Sequence, residues 1–300
     1  MSKFVVTADW HLREDLPIGR NDVDWFGAQR SAVNFVFSYA KRVGAQVILG
    51  GDVFHRGHTH PSLVTMFLEE AILFGDDVYV IPGQHDLPYH SMEYVNKSSF
   101  GNIIAAMRVP EINIIDGGSR GSTLPFGKLE DKVYDFNTEF LFLHQLTFKD
   151  EASKPPIDDG VLADDLLDRF PNISYICLGD NHRHFVVERD GRYVINPGCL
   201  LRQSADLVEY TAGFYVLDTD KKTVEFIPVP DIGDVSNAHI LKEKERDDRI
   251  EAFVDSLEKG TEISLDFIQN LRAQLHQLKP GTKAIIEELI EEIGGKSGGN

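Results

Sequence analysis

The chain has 300 residues, 42% of them hydrophobic and 26% charged, with a formal net charge of −18. That composition excludes the disordered and fibrous classes and suits one large α/β domain with an appendage. The charge excludes a protein that coats nucleic acid by bulk electrostatics, though not an enzyme that reaches a phosphodiester through bound cations, a local basic strip or a partner.

The N-terminal residues enter an apolar segment at once, without the basic region and long apolar core of a leader. No later run reaches membrane-span length. A cytoplasmic location with no membrane contact is the expectation. Apolar runs at 4–8, 47–49, 78–81, 112–115, 140–143, 175–178, 192–195, 214–217 and 223–227 predict strands, and amphipathic stretches at 24–43, 62–74, 92–107 and 161–169 predict the helices that cover them. Asp218 to Lys222 reads as a hairpin turn between the last two strands. Cys177 and Cys199 form no CxxC pair and read as buried structural thiols. Beyond Pro230 the texture changes: strand signals stop, and three helical pieces follow over 245–293 before a Gly-rich tail expected to be disordered. The expected organisation is a catalytic domain over 1–230, then a linker, helical segment and flexible tail over 231–300.

Five of the early runs finish alike. The first ends in Asp9 with His11 two residues on, the second in Asp52, the third in Gln84, His85 and Asp86, the fifth in His144, and the sixth in Asp180 with His182 after it. One Asp or His at a strand end is an ordinary cap. Five such ends, four of them with a histidine, point to a shared site, because the carboxyl ends of strands in an α/β sheet line the ligand crevice. Carboxylate, imidazole and amide donors without thiolate suit Mn²⁺, Fe²⁺ or catalytic Zn²⁺. The donors exceed what one ion needs. Two ions about 3.5–4 Å apart, bridged by a carboxylate, would use them all and would suit phosphoryl displacement, with Asp52 the natural bridge.

Asp9-x-His11, Gly51-Asp52-Val53-Phe54-His55, Gly83-Gln84-His85-Asp86, Leu143-His144-Gln145, Gly179-Asp180-Asn181-His182 and Asn196-Pro197-Gly198 resemble, in order and spacing, the motifs of the calcineurin-like metallophosphoesterases. Within them the chain looks most like the nuclease subunit of the SbcCD type, which repairs double-strand breaks with an SMC-like ATPase. The resemblance covers roughly residues 1–230 and implies a four-layer αββα domain with a dinuclear site, usually loaded with manganese, with Mg²⁺, Fe²⁺ or Zn²⁺ as alternatives. It implies that Asp9, His11 and His182 hold one metal, that Gln84, His144 and Asp180 hold the other, and that Asp52 is shared. His85 would sit over the scissile phosphate without binding metal, stabilising the transition state or protonating the leaving oxygen. Asp86 would orient His85 or its loop. The implied activity is DNA exonuclease or endonuclease in repair or recombination, and a chain this short for the type fits a phage version.

Two positions depart from the family pattern. The usual asparagine is Gln84, and the usual first histidine of the Gly-His-x-His motif is Asp180. A shifted register would instead use His182 and His184 as ligands. Arg56 and Arg202 are candidates for phosphate contact, whereas His55, His58 and His60 read as solvated or supporting residues beside the Asp52 loop. The resemblance also implies a homodimer contact near 62–107. The helices of 245–293 would either dock on the catalytic domain or bind an SbcC-like ATPase. A stand-alone phosphoesterase for cyclic nucleotides or phosphoproteins, and an inactive adaptor of the same fold, are the competing functions.

Overall fold

The computed structural model describes residues 3–75, 78–107, 121–124, 126–156 and 160–230, together with positions 233, 235, 275, 283–284 and 286–287. The chain divides into two compact units, Met1–Asn237 and Ala238–Asn300. The described strands of the first unit are, in order, β1 (Lys3–Thr7), β2 (Gln46–Leu49), β3 (Val78–Val80), β4 (Gly121–Thr123), β5 (Phe140–His144) and β6 (Thr147–Phe148). They continue with β7 (Val161–Leu162), β8 (Tyr175–Gly179), β9 (Phe185–Arg189), β10 (Arg192–Asn196), β11 (Gly213–Asp218) and β12 (Thr223–Pro228). The helices are α1 (Trp25–Val43), α2 (Pro61–Phe74), α3 (Ser99–Met107) and α4 (Ala163–Arg169).

Two five-stranded sheets, ordered β12-β11-β1-β2-β3 and β4-β5-β8-β10-β9, carry the architecture. Alternation along the strands builds the layers. Phe4 and Val6 of β1 join Phe140 and Phe142 of β5 and Tyr175 and Cys177 of β8 in the core between the sheets. The rings of Phe4 and Phe140 meet there at 4.7 Å. Val5, one residue over, faces the opposite way into a core with Val33 and Phe37 of α1, Met66 and Phe67 of α2, and Phe100 of α3. Leu141 and Leu143 of β5 and Ile176 and Leu178 of β8 pack instead on Leu166 and Leu167 of α4. Helices, sheet, sheet and helix make the αββα stack.

The helix ends follow local chemistry. The Asp24 side chain accepts the Gly27 N–H at the start of α1, and Gly44 ends it at φ 65°. Pro61 opens α2 beside His60, whose ring accepts the Ser62 N–H. The stretch 92–107 is split rather than one helix, because the Ser98 hydroxyl donates to the Val95 carbonyl, accepts the Gly101 N–H and so starts α3 afresh. Residues 161–162 pair with β6 as a short parallel strand before α4 begins. The hairpin at 218–222 is present, with Asp218 opposite Thr223. The strand expected at 112–115 and the helices expected over 245–293 lie outside the described residues, save for single positions. Of those, Leu275 and Ile286 are buried, and Lys283 pairs with Glu287 one turn on at 3.7 Å.

Candidate metal centre

Parallel neighbours β1, β2 and β3 release their C-terminal ends side by side, and parallel β5 and β8 do the same in the other sheet. Asp9, Asp52 and Gln84 follow the first three, His144 is the last residue of β5, and Asp180 follows β8. The two sheets approach backbone to backbone here, since a Cβ on Gly179 would overlap the Gly50 carbonyl, and within the first sheet a Cβ on Gly83 would overlap Asp52 Oδ1. The ligand loops are tied by Asp9 N–H to the Gly51 carbonyl at 3.0 Å and His11 N–H to the Asp52 carbonyl at 2.9 Å. Asp180 N–H reaches both Asp9 carboxylate oxygens at 3.1 Å. Asp9, His11, Asp52 and Asp180 all hold positive φ, at 51°, 45°, 51° and 88°. Side chains other than glycine adopt that region at a cost, and such strain gathers at functional sites.

Asp52 is the pivot. Its Oδ1 accepts the His85 N–H at 2.8 Å, while Oδ2 lies 3.2 Å from His144 Nε2 and 3.7 Å from His11 Nε2. His11 Nε2 is in turn 3.1 Å from His182 Nε2. Single ligand atoms of Asp9, His11 and His182 lie within 4.8 Å of one another, as do those of Asp9, Asp52 and His144. The implied two-metal site therefore has two overlapping donor sets. Gln84 donates its amide N–H to Asp180 Oδ1 at 2.6 Å. Buried polar atoms usually find partners, yet Asp52 Oδ2, His144 Nε2 and Gln84 Oε1 have none by hydrogen bond. Unpaired acceptors at the meeting point of a carboxylate, an imidazole and an amide are what a bound cation would satisfy, so the donor set fits divalent metal.

The electrostatics agree. Burial pushes Asp9 well above the usual carboxylate range; His144 opposes that, and Asp52 and Asp180 add to it. Burial also resists charge on Asp52, but His144 and His11 outweigh it and hold the carboxyl low. Burial resists charge on His144 too, yet the surrounding carboxylates Asp52, Asp9 and Asp180 push it up to about 10. Desolvation lowers His11 and His182. A buried cluster rich in carboxylates is a cation site by charge as well as by geometry.

The other expected site residues fall around this cluster. His85 lies 4.9 Å from the His11 ring and stacks on His55 at 5.5 Å, with its Nδ1 on the His55 carbonyl at 3.2 Å. Asp86 is wholly buried and faces away from reacting groups: its carboxylate accepts the N–H groups of Gly83, Val53 and Phe54 at 3.0, 3.2 and 2.8 Å. Burial and the nearby Asp52 push Asp86 up to about 7 against the pull of those donors. The structure brings His182, not His184, to the cluster. His184 Nδ1 meets the Tyr215 hydroxyl at 3.0 Å, and its ring stacks on Phe226 at 4.0 Å. Arg202 donates to the Val208 carbonyl at 2.9 Å, a tie to its own loop, and Arg56 is exposed.

Several contributors lie outside the expected ligand set. His55 joins His11 and His85 as a third potential ligand group, and burial followed by the charge of Arg13 lowers it to about 4. Arg13 is held by its backbone, which exchanges hydrogen bonds with the Gln29 amide. Gln203 donates to the Trp10 and His11 carbonyls at 3.1 and 3.2 Å. Asn196 of the Asn-Pro-Gly motif donates to the Asn181 and Arg183 carbonyls on either side of His182, at 2.7 and 2.9 Å. That motif marked the family without stating this task.

The family model for calcineurin-like phosphoesterase matches residues 2–196. Among solved structures, the TT1561 protein of Thermus thermophilus is 12% identical, with a TM-score of 0.46 over 76% of this chain and 99% of its own. An archaeal phosphodiesterase is 13% identical, with a TM-score of 0.41 over 75% of this chain and 99% of its own. No curated protein sequence matches the chain.

Proposed function

The chain belongs to the calcineurin-like phosphoesterase family, and on that premise we propose that it is a metal-dependent DNA nuclease that hydrolyses phosphodiester bonds at a dinuclear, manganese-preferring site. The carrying observation is the buried meeting of Asp52 Oδ2, His144 Nε2 and Gln84 Oε1, none with a hydrogen-bond partner, between the Asp9–His11–His182 group and Asp180. Asp9, His11, His182 and Asp52 would hold one cation; Asp52, Gln84, His144 and Asp180 would hold the other. Divalent cations so placed lower the pKa of water and neutralise phosphate charge. Around them the chain's residues divide the remaining work. His85, its Nδ1 on the His55 carbonyl, would serve the leaving oxygen through Nε2. Asp86 braces the loops of Gln84 and Asp52 rather than reacting.

The ordered motifs support the nuclease assignment, and a role in repair or recombination beside an SMC-like ATPase goes with it. With a net charge of −18, a long polyanion would be repelled outside the metal site. That favours a second reading, a phosphoesterase for small phosphodiesters. Purified protein with Mn²⁺ should degrade duplex or single-stranded DNA as well as bis-p-nitrophenyl phosphate, and His85→Ala should lose hydrolysis while keeping metal uptake. Turnover of the small diester with both DNAs intact would favour the second reading. Deleting residues 245–293 should abolish co-purification with the ATPase partner and spare small-diester hydrolysis.

A further inference from the structure

Just past His85, Tyr89 and His90 stand in succession at positive φ, 56° and 52°. Residues other than glycine visit that region singly as a rule, so two in a row need a contact that enforces them. Tyr89 does not supply it: the side chain is 86% exposed, with its ring edge-on to Tyr94. His90 does. Its Nδ1 lies 2.9 Å from the Gln84 carbonyl, and because a carbonyl only accepts, the bond keeps the proton on Nδ1.

The loop that runs from Gln84 to His90 is held along its middle by other groups. Asp52 Oδ1 takes the His85 N–H, and Asp86 gathers the N–H groups of Gly83, Val53 and Phe54. Leu87 and Pro88 lie against Gly57, where an added Cβ would come within 2.6 Å of the Pro88 nitrogen. Gln84 itself is tied through its side chain to Asp180 and through its carbonyl to Leu87 N–H at 3.3 Å and to His90. The His90 bond is the shorter of the two on that carbonyl. The His90 ring also stands edge-on to His85, with centroids 6.1 Å apart at 90°, while His55 stacks on the same ring. One imidazole therefore bears on both the amide donor and the histidine of the Gln84–His85 pair.

We infer that His90 is a positioning residue for the proposed hydrolysis: its Nδ1–H holds the Gln84 carbonyl, and so sets where the Gln84 amide and the His85 ring stand. The left-handed backbone at Tyr89 and His90 is the conformation that turns the imidazole back onto that carbonyl. This role rests on the metallophosphoesterase reading and extends it to a residue outside the ligand set and outside the family motifs. His90 acts through Gln84 and His85.

Two variants separate the hydrogen bond from the turn. Asparagine tolerates positive φ and carries an N–H₂ at the position of Nδ1, so His90→Asn keeps both. Glycine is unstrained there and has no donor, so His90→Gly keeps the turn and loses the bond. In calorimetric titration with Mn²⁺, His90→Gly should lose about tenfold in one of the two ion affinities, the worth of one hydrogen bond, with the other unchanged. At saturating manganese its kcat on bis-p-nitrophenyl phosphate should fall while KM holds, and His90→Asn should restore both readouts. Wild-type behaviour of His90→Gly, losses in His90→Asn as large as those in His90→Gly, or equal weakening of both ions overturns the assignment. Failure of the wild-type chain to take up manganese would sink the metallophosphoesterase reading itself, a distinct result.

Discussion

His144 donates from Nδ1 to the Gly50 carbonyl at 2.8 Å, bonding the last residue of β5 in one sheet to the end of β2 in the other. That bond sets the tautomer and aims Nε2 at Asp52 Oδ2, 3.2 Å away. Replacing His144 by Ala removes a donor atom together with the tie between the Gly50 and β5 ends. Loss of an outer partner of a metal ligand typically costs 10–100-fold in affinity, so loss of this ligand should cost about 100-fold or more. Calorimetric titration with Mn²⁺ measures it, and near wild-type affinity would remove His144 from the centre.

Asp86 makes a different prediction, because it works on the loops. Asp86→Asn turns one acceptor oxygen into an N–H₂ facing backbone donors that now have one oxygen among three. Unsatisfied buried groups cost about 1–3 kcal/mol each, so stability should fall by about 3 kcal/mol, or roughly 6–12 °C in a unit of this size. Thermal denaturation checks the loss. A variant with wild-type stability and no hydrolysis would instead make Asp86 a reacting group.

Buried carboxylates Asp9 and Asp52 repel one another without a cation. Divalent metal at about 100 times its dissociation constant should therefore stabilise the fold by about 2.7 kcal/mol, roughly 5–10 °C in melting temperature, and a chelator should reverse it. Asp52→Asn should lower the metal-free melting temperature, since the ionised carboxylate that His144 and His11 hold low is a net stabilising group there. It should also lose the metal-induced shift. A full shift in Asp52→Asn would show that cations bind elsewhere.

The catalytic strands were legible in the sequence because each has a buried face on both sides or strict alternation, and each ended in a polar residue of unusual type. The edge strand β9 was not, since Phe185–Arg189 is only half buried and its register comes from pairing with β10. Two-residue strands β6 and β7 have no period to read. Within the site, strand ends announced Asp9, Asp52, His144 and Asp180, but preferring the pair Asp180 and His182 to the pair His182 and His184 gains its support from the turn that sends His184 onto Tyr215 and Phe226. Arg13 and Gln203 were hidden for the same reason: their neighbours come from other segments, and only folding supplies them.

The Gln84–Asp180 hydrogen bond of 2.6 Å joins the two positions that depart from the expected family pattern. A glutamine reaches one methylene further than asparagine, and its N–H₂ donates to the carboxylate that stands where an imidazole is usual, leaving Oε1 unpaired and buried. Replacing either partner alone breaks the pair. Asp180→His removes negative charge and adds a softer donor, so selectivity should move from Mn²⁺ toward Zn²⁺, while Gln84→Asn leaves Asp180 without its donor. If the two positions act as one unit, the double variant Gln84→Asn/Asp180→His should bind metal better than the single losses sum to, with a coupling of about 1 kcal/mol or more. Competition titrations of Mn²⁺ against Zn²⁺ across the four proteins read both effects. Additive losses with unchanged selectivity would separate these residues from the second cation and leave Asp52 and His144 to hold it alone.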